Sequence, residues 1–362
     1  MSRAMHVAFT TPATFSDIRG GGERYPLNLA RGIARASPGN VEVELLAPAE
    51  ESSRHPVEAG VWVRGCRTDR RGVSGGAAVS WELIEAVTDA DLVHVHQVFT
   101  LLGEAAVLAA RIARRPVCVT DHGGRESTAG LQLGLLDLAD ALVAYSRFGA
   151  ASLGTTRLVT VVEGGVDTRF FSPPPAGTAR RHVLFAGRIL PHKGVDLLVS
   201  ACPPGIPLVI AGTPGDPGYL EELRRLAGDR DVTIVLDPPD EQLRDLYRTA
   251  LAIAAPSVHF DLHGAYWAHP ELMGMTMLEG MACGAPAVCL RTAALPEYVD
   301  DGVTGFVVDD AAGLAGRLTE LAGDAELGHR MGAAATERVR ASWDMEVAGR
   351  LMLDLYRGLV GG

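Results

Sequence analysis

Lysine is almost missing from this 362-residue chain: of 33 basic residues only Lys193 is not an arginine. A GC-rich genome produces such a bias, yet it singles out the one compact ammonium among planar guanidinium forks. Cysteine is scarce too. The five present (Cys66, Cys118, Cys202, Cys283 and Cys289) are odd in number, scattered and without a CxxC pair, which supports neither a disulfide framework nor a thiolate metal site. No apolar run approaches the roughly 20 residues that cross a bilayer, and the amino terminus leads straight into a strand-like stretch with no export signal, so a cytoplasmic protein is expected. An excess of positive charge is lacking as well: the net charge of -11 repels nucleic-acid backbones and anionic membrane surfaces. Aromatic residues make up only 6%.

What the chain does have is regular alternation. Hydrophobic residues at 47% and charged residues at 21% are a globular composition, and the length suits two domains at roughly 150 residues each. Short apolar runs at 6–10, 41–47, 91–96, 117–120, 141–145 and 158–162 read as strands separated in several places by helical patterns, the mark of a parallel sheet. A second series follows at 182–187, 208–212, 232–236, 251–255, 287–290 and 306–308. Between the series, residues 171–180 (FSPPPAGTAR) read as a Pro-rich linker, which divides the chain into domains 1–172 and 173–344. A terminal helix over 345–359 can pack back on the first domain or stay with the second. The fold class is therefore α/β, with two Rossmann-like doubly wound domains.

Three constellations carry chemistry. Gly20, Gly21 and Gly22, followed by Glu23 and Arg24, come after the first strand and a ten-residue loop and open a helix whose first turn is expected to hold Pro26. Glycine amides before a helix suit phosphate, although the run is neither GxGxxG nor a Walker loop, which argues against dinucleotide and ATP binding. The second run, Gly187 to Gly194, follows a strand and places Arg188 and Lys193 across one turn, two cations able to converge on a diphosphate. The third joins Glu271 to Glu279, eight positions apart, with Gly274, Met275 and Thr276 at a helix start. Eight helical residues span roughly 12 Å, too far for a joined acid and base pair, so the carboxylates must touch different parts of one long ligand with its diphosphate over the helix amino terminus.

In this order the three runs resemble the family-4 glycosyltransferases, retaining enzymes of GT-B fold, and the resemblance covers nearly the whole chain. Further matching stretches are Glu163 to Asp167 with Phe170, Phe171 and Pro173, residues 208–212, Tyr247 with Ala250, Pro256 with Ser257, and Glu297 to Gly305. The resemblance implies two domains facing each other across a cleft, with a nucleotide diphosphate sugar as donor and no metal or other cofactor. It also implies roles. Gly21, Gly22, Gly187 and the backbone after Gly274 would hold the diphosphate, Arg188 and Lys193 would neutralise it, Glu271 would hold the sugar hydroxyls, and Glu279 the ribose. His122, next to Asp121, matches the family's first-domain histidine beside the reacting centre. Retention ordinarily wants two carboxyl groups about 5 Å apart, and none stands out beside His122, so same-face attack within an ion pair is what the resemblance implies.

The sequence departs from the family's pattern at residues 258–270, a longer connection with His259, Asp261, His263, Tyr266, Trp267 and His269. Three histidines and an aspartate can ligate a metal, but an acceptor or donor rim is preferred here: Tyr266 and Trp267 either stack on a sugar or pack for structure, Asp121 is a further acceptor candidate, and Glu23 is an acceptor candidate whose preferred reading is a partner of its helix dipole. His94 and His96 lie on one strand face and are read as satisfied locally instead of as metal ligands. The pairs Asp89/Asp91 and Asp229/Asp231 imitate a DxD motif but precede their strands, and are read as turns.

Transfer of a hexosyl or N-acetylhexosaminyl group to a small hydroxylated acceptor leads the functional readings. An epimerase of sugar nucleotides on the same plan and a non-catalytic nucleotide-sugar sensor stay open behind it. A ribose-binding glutamate favours UDP, then GDP, over a deoxyribonucleotide. The acidic balance, with Glu23, Asp121, Glu126 and Asp261 near the motifs, suits a cationic acceptor such as an aminoglycoside-type scaffold in antibiotic biosynthesis.

Overall fold

The computed structural model describes residues 3–12, 21–68, 78, 80–123 and 134–361; the side chains of residues 21–23 are outside that description, as are Gly20, Gly124 and Glu126. Packing divides the chain into two compact units, 1–165 with 345–362, and 166–344.

The first unit is built on eight strands: β1 (Met5–Thr10), β2 (Val41–Ala49), β3 (Ser53–Glu58), β4 (Val61–Arg67), β5 (Leu92–His96), β6 (Val117–Thr120), β7 (Ala141–Ala144) and β8 (Val159–Val161), in the order β3-β4-β2-β1-β5-β6-β7-β8. All neighbours are parallel except β3 and β4. The central strands are buried on both faces, β5 at every position, because helices cover the sheet on each side. The β3–β4 pair was not among the expected strands. Ser53–Glu58 is a polar, mostly exposed edge strand interrupted by Pro56, where no alternation betrays it and an edge tolerates the missing N–H.

The helix Gly21–Ala36 packs on this sheet, and Pro26 sits inside it instead of in the first turn, where its absent N–H forgoes one helical bond. The terminal helix Met345–Val360 belongs to this unit because two glycines let the helices touch. A Cβ on Gly32 would fall 1.9 Å from the Met345 carbonyl oxygen, and one on Gly349 would fall 2.2 Å from the Gly32 carbonyl carbon.

The second unit has six parallel strands, β9 (His182–Ala186), β10 (Leu208–Gly212), β11 (Val232–Leu236), β12 (Ala250–Ala255), β13 (Ala287–Leu290) and β14 (Gly305–Val308), in the order β11-β10-β9-β12-β13-β14. The order reverses beside β9, as it does beside β1 in the first unit, and ligands of open α/β sheets gather at the carboxyl ends of strands at such points. The Pro-rich stretch is no free linker. Phe171 is buried edge-on against Tyr247 at 5.7 Å, and Arg248 donates to the Ser172 carbonyl at 2.9 Å. The units part earlier, at Gly165/Val166, because the Val166 N–H donates to Trp343 O at 3.1 Å and the Thr168 hydroxyl meets Asp344 at 2.5 Å, tying both chain crossings into the second unit.

Candidate active site

In the second unit, β9 runs into Gly187 and the exposed Arg188, then a short 3-10 turn, Pro191–Lys193, closes at Gly194. Gly194 has φ +66°, and a Cβ there would lie 2.1 Å from the Pro256 carbonyl oxygen, so the turn is pressed against the end of β12 in a way only glycine permits. The Lys193 ammonium donates to Pro270 O at 2.7 Å and to Glu271 Oε2 at 3.0 Å. Of its three N–H donors, one is left for a ligand. Glu271 turns its other oxygen back on its own chain, accepting from the N–H groups of Leu272 at 3.1 Å, Met273 at 3.4 Å and Gly274 at 3.0 Å. Burial pushes this carboxyl up, but the Lys193 charge and hydrogen bond, with the Met273 and Gly274 N–H groups, outweigh it and hold it below the usual carboxylate range. Arg188 has no ion-pair partner among the described residues.

The helix Met275–Ala282 begins just after Gly274, so the N–H groups of its first turn, Met275 and Thr276 among them, have no partner within the helix. The Thr276 hydroxyl donates to Ala186 O at 2.7 Å and pins this helix start to the end of β9. Further along, Glu279 is buried and accepts from the Tyr247 hydroxyl at 3.0 Å. Lys193, Glu271 and the helix start thus converge, with Arg188 close enough for its charge, after burial and Lys193, to help depress the His192 imidazole to about 4.

The loop 258–270 follows this cation turn. Tyr266 is exposed, whereas Trp267 lays its ring against His192, centroids 4.2 Å apart, and donates its indole N–H to Asp261 at 2.8 Å. His263 faces Glu222 at 3.4 Å, and among the described residues no group of three or more His, Cys, Asp or Glu is arranged to hold a metal.

In the first unit the ends of β1, β5 and β6 carry a different cluster. His94 is satisfied at both nitrogens, by the Tyr356 hydroxyl at 2.5 Å and by Thr120 Oγ1 at 2.7 Å. His96 stacks on His94 at 4.1 Å and shares a hydrogen bond of 2.9 Å with His122 Nε2. Gln97, at φ 65°, takes a conformation rare for a side-chain-bearing residue and donates from its amide to Gly123 O at 3.0 Å, while Asp121 accepts from the Gly123 N–H at 3.2 Å. Tyr25 and Tyr145 pack edge-on around His122, at 5.9 and 5.0 Å.

Burial, with the His122 charge second, lowers His94 to about 3; burial lowers His122 to about 3, and His96 is pushed well below its ordinary value. All three rings are therefore neutral near pH 7 and act as hydrogen-bonding groups. His122 Nδ1, His96 Nε2, the Tyr25 hydroxyl and Thr10 Oγ1 are buried without a hydrogen-bond partner among the described residues. Tyr25, Tyr145 and Tyr356 were not expected at this site; the signal available for them was only a tyrosine on an apolar helix or strand face. Gly21 and Gly22 open the helix Gly21–Ala36, with Glu23 beside them.

Two family models match the chain: "Glycosyltransferase Family 4" over residues 19–170 and "Glycosyl transferases group 1" over residues 167–338. A D-inositol 3-phosphate glycosyltransferase of Xylanimonas cellulosilytica is 32% identical, over 93% of this chain and 91% of the relative. A GDP-mannose-dependent alpha-(1-6)-phosphatidylinositol monomannoside mannosyltransferase of Mycolicibacterium smegmatis is 29% identical, over 69% of this chain and 72% of that one. Among solved structures, Anabaena HepE in complex with UDP-glucose superposes with a TM-score of 0.74 at 19% identity, over 98% of this chain and all of the other.

Proposed function

The chain belongs to the family-4 glycosyltransferases of GT-B fold, and on that premise we propose a retaining, metal-independent transfer of a hexosyl or N-acetylhexosaminyl group from a UDP-linked donor to a hydroxyl of a small cyclitol. The observation that carries the donor half is the convergence of Lys193, Glu271 and the open start of the helix Met275–Ala282 at one strand end. Breaking the anomeric bond loads negative charge on the departing diphosphate. A fixed ammonium, the Arg188 guanidinium and unpaired backbone N–H groups stabilise that charge more as it grows than before it forms. Glu279, oriented by Tyr247, takes the ribose, and Glu271 faces the sugar hydroxyls.

The acceptor half rests on the neutral imidazole and hydroxyl cluster. His122 held uncharged by burial is a poor proton acceptor but a good hydrogen-bond partner for a polyol. The proton of the attacking hydroxyl then passes to the departing diphosphate on the same face, which retains the anomeric configuration. The relative named for D-inositol 3-phosphate supports a cyclitol ring, and the net charge of -11 favours an amino-substituted one, as in natural-product scaffolds. Five buried free thiols suit a reducing cytoplasm.

A second reading takes GDP-mannose as donor, because the mannosyltransferase relative is named for it. Incubating the protein in EDTA with UDP-glucose, UDP-N-acetylglucosamine or GDP-mannose, and with inositol or 2-deoxystreptamine, separates the readings. Product of retained anomeric configuration from a UDP-linked donor supports the proposal, and from GDP-mannose alone the second reading; epimerised donor without transfer, or no turnover with any pair, contradicts both.

A further inference from the structure

The loop 258–270 leaves the cation turn and comes back to it. At its start the Val258 N–H donates to His192 O at 2.9 Å; at its end Pro270 O accepts from the Lys193 ammonium at 2.7 Å. Two consecutive residues of the turn are thus gripped by the two ends of one loop. In between, the loop is stiff. Asp261 accepts from the backbone N–H groups of His263 at 2.9 Å and Ala265 at 3.0 Å and from the Trp267 indole at 2.8 Å; the Trp267 N–H donates to His259 O at 2.7 Å, and His259 Nδ1 donates to Trp267 O at 2.9 Å. Phe260 and Tyr266 bridge as antiparallel neighbours.

The loop has two faces. Phe260, Leu262 and Tyr266 point to solvent, at 66%, 46% and 63% exposure, while Trp267 covers His192, which is 6% exposed. We infer that this loop is a collar for the cation turn and that Trp267 is a positioning residue, acting through His192 to hold Lys193 where a nucleotide diphosphate would meet it. The inference rests on the donor reading above. His192 occupies one face of the Trp267 ring, which is itself 37% exposed.

Because Lys193 is the chain's one lysine, every acylated lysine side chain reports on it. Acylation of the ligand-free protein by an N-hydroxysuccinimide ester, read residue by residue by mass spectrometry, reports how tightly the collar holds it. Trp267→Ala is expected to raise the Lys193 acylation rate about tenfold, the scale of one lost aromatic pair contact. Trp267→Phe, which keeps a ring over His192, should restore most of the protection, and Leu262→Ala on the outer face should stay within about twofold of the parent chain. Should Trp267→Ala not fold, Asp261→Asn, which removes the indole's acceptor but no ring, is expected to raise the rate by a smaller factor. Equal Lys193 rates in the parent chain and in folded Trp267→Ala or Asp261→Asn, by circular dichroism and melting temperature, would overturn the collar. The same assay with UDP or GDP added tests the donor reading separately: protection of Lys193 supports it, and none with either nucleotide contradicts it whatever the collar does.

Discussion

The two units place their candidate residues at the same point of a doubly wound sheet, yet they use opposite chemistry there. The second gathers formal charge and ties it down: Lys193 to Glu271, Glu271 to three backbone N–H groups, Thr276 to Ala186. The first gathers neutral rings and hydroxyls, and leaves four buried polar atoms, on Thr10, Tyr25, His96 and His122, without partners among the described residues. Fixed cationic groups beside an open helix start suit an anion. Unpaired neutral donors and acceptors suit hydroxyl groups, because each buried polar atom left unpaired costs free energy that a polyol can return.

Removing the second unit's charges is expected to have the largest effect. Lys193→Ala and Arg188→Ala are each expected to lose roughly 10²–10³ in turnover, the size of deleting one preorganised charge stabiliser, measured as the initial rate of nucleotide release. The loss should fall on kcat more than on the acceptor's KM. A smaller effect concerns the neutral cluster and pH. His94 and His122 sit near 3 in the folded chain against about 6.5 when unfolded, so the unfolded chain binds protons first as pH falls. The stability these groups contribute is complete above about pH 6.5 and drains away as pH drops toward 3. Between pH 6.5 and 4.5, above the range where Glu44, held near 2, begins to add its own loss, His122→Asn should flatten the fall in melting temperature.

Tyr356→Phe deletes the hydroxyl that meets His94 from the terminal helix. It should lower unfolding stability by about 1–3 kcal/mol in urea while leaving nucleotide binding untouched, because the hydroxyl bonds to His94 and to none of the groups assigned to the diphosphate or ribose. The smallest effect sharpens the contrast from the other side. A diphosphate bound at Lys193 and Arg188 offsets the two charges that help depress His192, so its titration should move up from about 4 in NMR spectra with UDP, while His94 and His122 stay where they are.

The second unit was far more legible in the sequence than the first. Its residues come in two short runs, 187–194 and 271–279, each set at a strand end or helix start that glycines announce, and its strands fall within a residue or so of the apolar runs that foretold them. The first unit's cluster is assembled from Tyr25, His96, His122, Tyr145 and Tyr356, which no local spacing connects; His94 and Tyr356 are 262 positions apart. Edge strand β3 is silent in the sequence because exposed polar residues carry no period, and the Pro-rich stretch reads as a linker because composition does not reveal that Phe171 is buried against Tyr247. The loop 258–270 was legible as aromatic and histidine-rich. Which side of Trp267 faces His192 is a matter of three-dimensional packing that composition does not encode.

Whether Lys193 holds a nucleoside diphosphate without metal is decided by calorimetric titration with UDP, GDP and dTDP in EDTA, on the parent chain and on Lys193→Ala. Metal-free binding of a ribonucleoside diphosphate is expected, UDP ahead of GDP and both ahead of dTDP, and it is lost in the variant. Binding that survives the loss of Lys193 unchanged, or no binding of any of the three, would contradict that role of Lys193.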